Sequence, residues 1–387
     1  MASPHHLLNT SWTSHRLSPL HYEIEHEAGS VLETTSLLTN KTALDTYAAR
    51  LRDHLTNSLA VAGALALQDD LATSLTLGAL QSCTWETISS LSFLDVEQEQ
   101  GGEPVGLLIT LTYETATYKA VLLAAPGTGT ASTSSNQAQP QQEEQKEQKK
   151  RRRGRPSLKS ANITNISSST HLPLLLTRLP KPVRETFLNF LSSNFDTYIS
   201  ALRIPSTALC GVLERYVENL TPVADVDVDV DVEDIIREIH LTLSFAPPIA
   251  PELKALNVSI PRDRLGAFMG GSTSSVIGNR GSVLSGLSAY LSKHLAIDLG
   301  LPLPAGESAA TAAGSSSSLV GGYVRLTRVA CAGFVVTAEG RLKVVAKAEN
   351  GEGDERNRGA LRGGEALLRA ILERAAMGIG ADKEAQE

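Results

Sequence analysis

The chain has 387 residues, is 42% hydrophobic and 20% charged, and carries a formal net charge of −7. That length fits about two or three domains, and no apolar run approaches the roughly 20 residues of a bilayer-crossing helix. Cys83, Cys210 and Cys331 are odd in number and far apart, so a reducing compartment is expected and neither a disulfide framework nor a Cys-rich zinc site is.

The first informative stretch is NTSWTSHRLSPLHY, Asn9 to Tyr22, which holds one of only two tryptophans. Trp12, Leu17, Leu20 and Tyr22 are apolar, so this segment is expected to be tied down on a fold instead of trailing as a loose terminus. Leu44, Tyr47, Ala48, Leu51 and Leu55 then recur at helical spacing, which predicts a helix over about Ala43 to Leu55 with Thr42 as its cap. VGLLITLTY and TYKAVLLAA follow as two strands of a hairpin.

Residues 126–169 lose hydrophobic content and fill with Gly, Ser, Thr, Gln, Glu and Lys. Such a segment buries too little apolar area to offset its ordering entropy, so a disordered linker is expected. Beyond it, Val183, Phe187, Phe190, Leu191, Phe195, Tyr198 and Ile199 mark an amphipathic helix after two prolines. STALCGVLERYVENL reads as a second helix with Ser206 at its cap, EIHLTLSFA as a strand, and GSVLSGLSAYLSKHLAIDLG as a third helix. YVRLTRVACAGFVVTAEGRLKVVAK supplies two or three strands turning at Glu339-Gly340, and GGEALLRAILERAAMGIG a final helix.

The expected fold class is therefore α+β, with two mixed helix and antiparallel-sheet halves joined by a disordered basic linker. The expected boundaries are 1–125, the linker 126–169, a second half 170–346 with a flexible insertion at 305–318, and a polar tail 347–387 with a terminal helix.

The sharpest local signal is basic: Lys149, Lys150, Arg151, Arg152, Arg153, Gly154, Arg155 and Pro156. Arg-Gly-Arg-Pro is the core of an AT-hook, where Gly and Pro let an extended backbone enter a minor groove and the arginines follow its negative potential. A nuclear import signal needs only the charge cluster, and a solvated charge run needs no partner at all. The first two readings place the protein in the nucleus.

DVDVDVDVED, from Asp225, resembles the start of a calcium loop, but such loops need Gly at the sixth position and Glu at the twelfth. Those positions hold Val230 and Ile236, so an exposed repeat is expected and no metal. Gly266 to Ser282 is Gly-rich but lacks the Gly-Lys-Ser/Thr ending of a P-loop, and a flexible loop is expected there. His5, His6, His15, His21 and His26 show no metal-binding spacing, and no G-x-S-x-G elbow anchors a nucleophile. No catalytic, cofactor-binding or metal-binding residue is assigned.

SWTSHRLSPLHY resembles the N-terminal signature of the centromere protein L family, a Trp-Thr pair, a spacer, Leu-Ser/Thr-Pro-Leu and an aromatic. The matching positions are Trp12, Thr13, Leu17, Ser18, Pro19, Leu20 and Tyr22. LPLLLTRLPKPVRETFLNFLSSNFDTYISALRIPSTAL, LSAYLSKHLAIDL and VRLTRVACAGFVVTAEGRLKVV are similar to later stretches of the family, in the same order. On this reading the linker and the terminal acidic helix lie outside the resemblance.

The resemblance implies a non-enzymatic inner-kinetochore subunit that resides in the nucleus at the centromere. It would pair with a centromere protein N homologue, beside other inner-kinetochore subunits and the centromeric nucleosome or DNA, with no membrane partner. The opening segment would pack on the first half. A competing reading is a nuclear minor-groove DNA-binding regulator that uses the basic run.

For the partner site, the last strands are expected to present a poorly defended sheet edge that invites strand addition. The residues assigned to it are Tyr323, Val324, Arg325, Leu326, Arg328, Phe334, Val335 and Val336. The same sheet is expected to support a homodimer when the partner is absent.

Overall fold

The computed structural model describes residues 2–23, 36–65, 78–94, 104–125, 167–220, 232–245, 252–269, 283–295, 324–347 and 355–377. A 3-10 turn at Pro4–Leu7 leads into β1 (Ser11–Leu17) and β2 (Leu20–Glu23), then α1 (Lys41–Leu65), β3 (Leu80–Ile88), β4 (Gly106–Tyr113) and β5 (Thr117–Leu123). Next come β6 (Ser167–Thr170), β7 (Leu174–Arg178), α2 (Lys181–Phe195), β8 (Ile199–Ala201), α3 (Ser206–Glu218) and α4 (Val232–Ile236). The remainder is β9 (Ile239–Phe245), β10 (Ala255–Ile260), α5 (Arg262–Met269), α6 (Val283–Leu295), β11 (Val324–Ala330), β12 (Phe334–Thr337), β13 (Arg341–Val344) and α7 (Glu355–Ala376).

The α+β class is observed, and both halves contribute to one sheet. Its order is β10-β9-β11-β12-β13-β1-β7-β5-β4-β3, with β8 also paired to β1, and every named pair is antiparallel. The join is β1, the opening stretch of the sequence. One side of β1 pairs with β7; the other pairs first with β13 and then with β8. Ser14 makes the changeover: its amide donates to Gly340 O at 2.9 Å, and its carbonyl accepts from Leu202 N at 3.1 Å. Gly340 has φ +77°, and a Cβ there would meet Leu202 O and lie 2.6 Å from Ser14 Oγ. Only glycine suits that position.

Period-two alternation sends side chains to both faces. Leu107, Ile109 and Leu111 of β4 and Leu175 of β7 join α1 and α2 in one core, whereas Leu108, Leu174 and Leu176 join α3, α6 and α7 in the other. The apolar runs of β4 and β7 thus belong to strands buried on both sides. Trp12 is 2% exposed, belongs to the α3/α6/α7 core, and donates its indole N–H to Leu7 O at 3.0 Å. The segment packs on the first half as expected, with Leu17, Leu20 and Tyr22 in the core of α1, and it packs on the second half as well, because β1 is a shared central strand.

Local details differ from expectation for identifiable reasons. Asn40 Oδ1 accepts from Ala43 N at 3.0 Å and caps α1, which begins at Lys41, so Thr42 lies inside the helix. The residue before α3 is Pro205, and the Ser206 hydroxyl engages Leu326 of β11 in place of capping. The helix expected to reach Ile199 stops at Phe195, where Asp196 turns left-handed at φ 43° and releases the chain into β8. Strand β10 and helix α5 have no counterpart among the expected elements. Helix α7, set apart as a polar tail element by its charge, buries Leu361, Leu367, Leu368, Ile371 and Leu372 in the main core.

Candidate partner-binding surface

The strands expected to bind a partner are internal. β11 lies between β9 and β12, β12 between β11 and β13, and β13 between β12 and β1. The expectation that they form a free edge is corrected: the sequence shows strand pattern but not which strands flank it. The part of β11 that extends past β12 is closed by Ser206, whose hydroxyl accepts from Leu326 N at 3.1 Å.

Of the residues assigned there, Val324, Leu326, Phe334 and Val336 are buried in the main core. Arg325 and Arg328 are exposed and Val335 is half-buried, on the opposite face. Tyr323 and the whole run Lys149 to Pro156 lie outside the described residues.

A bulge between Leu326 and Arg328 brings Arg325 and Arg328 onto one face despite their odd spacing, opposite Ser244 and Thr242 of β9. The register carries that face onward: Val335 sits opposite Lys343, and Thr13 opposite Arg341. Arg325, Arg328, Arg341 and Lys343 therefore project together. Helices α1 and α2 cover this face only over the β3-to-β7 half. Among the described residues nothing covers it over β9 to β13, and the result is a polar strip rich in cations.

His15 marks the boundary of that strip. It is 7% exposed on β1, with Nε2 at 3.4 Å from Thr177 Oγ1. Burial, reinforced by the Arg184 guanidinium, holds its pKa down at about 4, so it is neutral at physiological pH. The remaining signature residues are structural: Leu17 and Leu20 are buried with α1 and α2, and Tyr22 OH accepts from Leu37 N at 2.9 Å. Thr13 and Pro19 are half-buried.

Among the described residues the outermost strands of the sheet are β3 and β10. At β3 the end is plugged, since Ala2 N donates to Thr87 O at 2.8 Å beside the Ala2–Ile88 bridge. At β10 the devices that usually blunt an edge are missing. Ala255–Ile260 holds no charged residue and no proline, and its six-residue register with β9 has no bulge. Phe245 N bonds Lys254 O, so by antiparallel alternation Ala255, Asn257 and Ser259 turn their N–H and C=O groups away from β9. Sequence reading missed this strand; its only signal was the short alternating LNVSI between Lys254 and Pro261.

Burial pushes the Cys83, Cys210 and Cys331 thiols up to about 11, 12 and 11, the opposite of an activated nucleophile. Among the described residues no group of three His, Cys, Asp or Glu side chains is placed to hold a metal ion, and no helix is long and apolar enough to cross a membrane.

The sequence model of the centromere protein L family matches residues 6–376. That span takes in α7, so the terminal helix is part of the family pattern, contrary to the narrower extent read from the sequence. Comparison with curated proteins finds no match.

Proposed function

Because the chain belongs to the centromere protein L family, and with it to the proteins of the kinetochore, we propose that it is a scaffold subunit pairing with a centromere protein N homologue. The observation that carries this reading is β10, an uncharged edge strand with outward-facing amides at Ala255, Asn257 and Ser259. A partner strand added there gains affinity from main-chain hydrogen bonds and selectivity from alternate side chains. The same edge serves a second copy of this chain when the partner is absent. The strip bearing Arg325, Arg328, Arg341 and Lys343 is left for the phosphates of centromeric DNA. Its role is the placement of other subunits on chromatin during kinetochore assembly and chromosome segregation; it performs no catalysis.

The test is binding of the full chain to the centromere protein N homologue. Asn257→Pro removes an outward amide and leaves the β9 ladder intact, so the variant is expected to fold and to bind at least about tenfold more weakly. Arg325→Glu with Arg328→Glu is expected to spare that pairing while reducing the salt dependence of duplex DNA binding, by about 0.9 in slope for each phosphate no longer neutralised. Undiminished pairing by folded Asn257→Pro refutes the β10 assignment.

The minor-groove reading remains a second proposal, favoured by the Arg153-Gly154-Arg155-Pro156 sequence. It requires a preference for A·T-rich over G·C-rich duplexes that disappears in Arg153→Ala with Arg155→Ala. Equal affinity for the two duplexes reduces the run to an import signal.

A further inference from the structure

The half of the sheet face that lies beyond α7 carries a second cluster of charged groups, far in sequence from the partner strip. Lys119 of β5 stands in register with Arg178 of β7 and Thr110 of β4. Its Nζ lies 3.1 Å from Nδ1 of His6, which the Pro4–Leu7 turn holds over the strand. Glu86 of β3 is the acidic member of the group, and His5 flanks His6 in the turn. Lys119 is half-buried and His6 exposed, so the amine is both constrained and reachable.

Two causes disfavour the charged form of Lys119. Burial removes water from the ammonium, and Arg178 repels it; Glu86 opposes them less strongly, and the net direction is downward. Burial also lowers His6, with Lys119 as the next cause, which favours the neutral imidazole, and in the tautomer protonated at Nε2 the nitrogen facing Lys119 is an acceptor. A lysine beside a second cation, with a base inside hydrogen-bond reach, is the arrangement that turns an ordinary amine into a nucleophile.

We propose that Lys119 is a site of Nε-acylation, with His6 as the base that assists attack on acyl thioesters such as acetyl-coenzyme A. The neutral amine bonds to the acyl carbon, and the carbon–sulfur bond breaks with its electron pair on sulfur. The proton shed by Nζ passes to His6 Nδ1 and then to the departing thiolate, so an amide and a free thiol result with no other reactant. Acylation removes the positive charge facing Arg178 and replaces the Lys119–His6 hydrogen bond that ties the N-terminal turn to β5. This inference stands apart from the partner reading and survives its failure.

The experiment is brief exposure of the full chain to acetyl-coenzyme A at pH 7.5 to 8, followed by peptide mass spectrometry. The comparison lysines are the exposed Lys41, Lys181, Lys254 and Lys293. Lys119 is expected to acquire the acyl group about tenfold or more faster than these, a modest share of what a positioned base supplies. His6→Ala and His6→Asn change an exposed position and are expected to keep the fold; both should bring Lys119 down towards the comparison rates, the second while retaining a hydrogen-bond acceptor. Parity of Lys119 with the other lysines in the unmodified chain, or a rate at Lys119 that ignores both His6 substitutions, overturns the proposal.

Discussion

Trp12→Ala tests the claim that the N-terminal strand holds the two halves together. The indole is 2% exposed on β1, the strand that α7 packs against, and its N–H donates to Leu7 O at 3.0 Å. Truncating a buried aromatic costs about 3–5 kcal/mol, through lost transfer energy and the cavity left behind. Trp12→Phe keeps one ring but loses the N–H to Leu7 O and leaves a smaller cavity, so it should cost less than Trp12→Ala. The assay is urea unfolding followed by the fluorescence of Trp85, the other tryptophan, which lies in the opposite core with ring centroids 6.1 Å from Tyr47 and 6.2 Å from Phe195. Because β1 is bonded to both β7 and β13, loss of Trp12 should lower the Trp85 midpoint with little change in slope. A Trp85 transition that stays in place while circular dichroism shows a second, earlier one would refute the shared-strand argument. It would mean that the two sides of the sheet unfold independently.

Gly340→Ala should cost at least about 2 kcal/mol, because a side chain there adds left-handed strain to a collision with Leu202 O and Ser14 Oγ; thermal unfolding checks it. His15 makes stability pH-dependent: its folded pKa of about 4 lies below the ordinary histidine value of 6.5. The unfolded chain therefore takes up a proton first, and stability present above pH 6.5 is lost as pH falls towards 4, by up to about 3 kcal/mol. His15→Gln should flatten that limb of the stability profile. Tyr216 is fully buried with its hydroxyl unpartnered among the described residues, so Tyr216→Phe should leave stability unchanged or raise it by up to about 1 kcal/mol in urea unfolding.

Several features of this protein were fixed by local chemistry and so were readable in the chain itself. The heptad-like spacing of Leu44, Leu51 and Leu55, and of Val183, Phe187 and Phe190, marks helices whose apolar stripes do face a core. The alternation in β9, β11 and β12, and the Gly340 turn, likewise depend on neighbours a few residues away. The density of apolar residues around Trp12 pointed to an anchored segment, because an exposed terminus has no use for a buried indole.

What the sequence could not settle was adjacency. Val324 to Val336 alternates identically whether its strands are central or at an edge, since side-chain period reports which face is buried and not which backbone lies alongside. The tertiary structure decided that β11 to β13 are enclosed, that β10 is an outermost strand among the described residues, and that β1 joins strands more than 150 residues away to others more than 300 away. Strand β10 is faint in the sequence because an edge strand buries less than a central one: Leu256 and Val258 are only half-buried. Pairing of backbone hydrogen bonds carries no residue code, so long-range strand order emerges only when the whole chain closes its two cores at once.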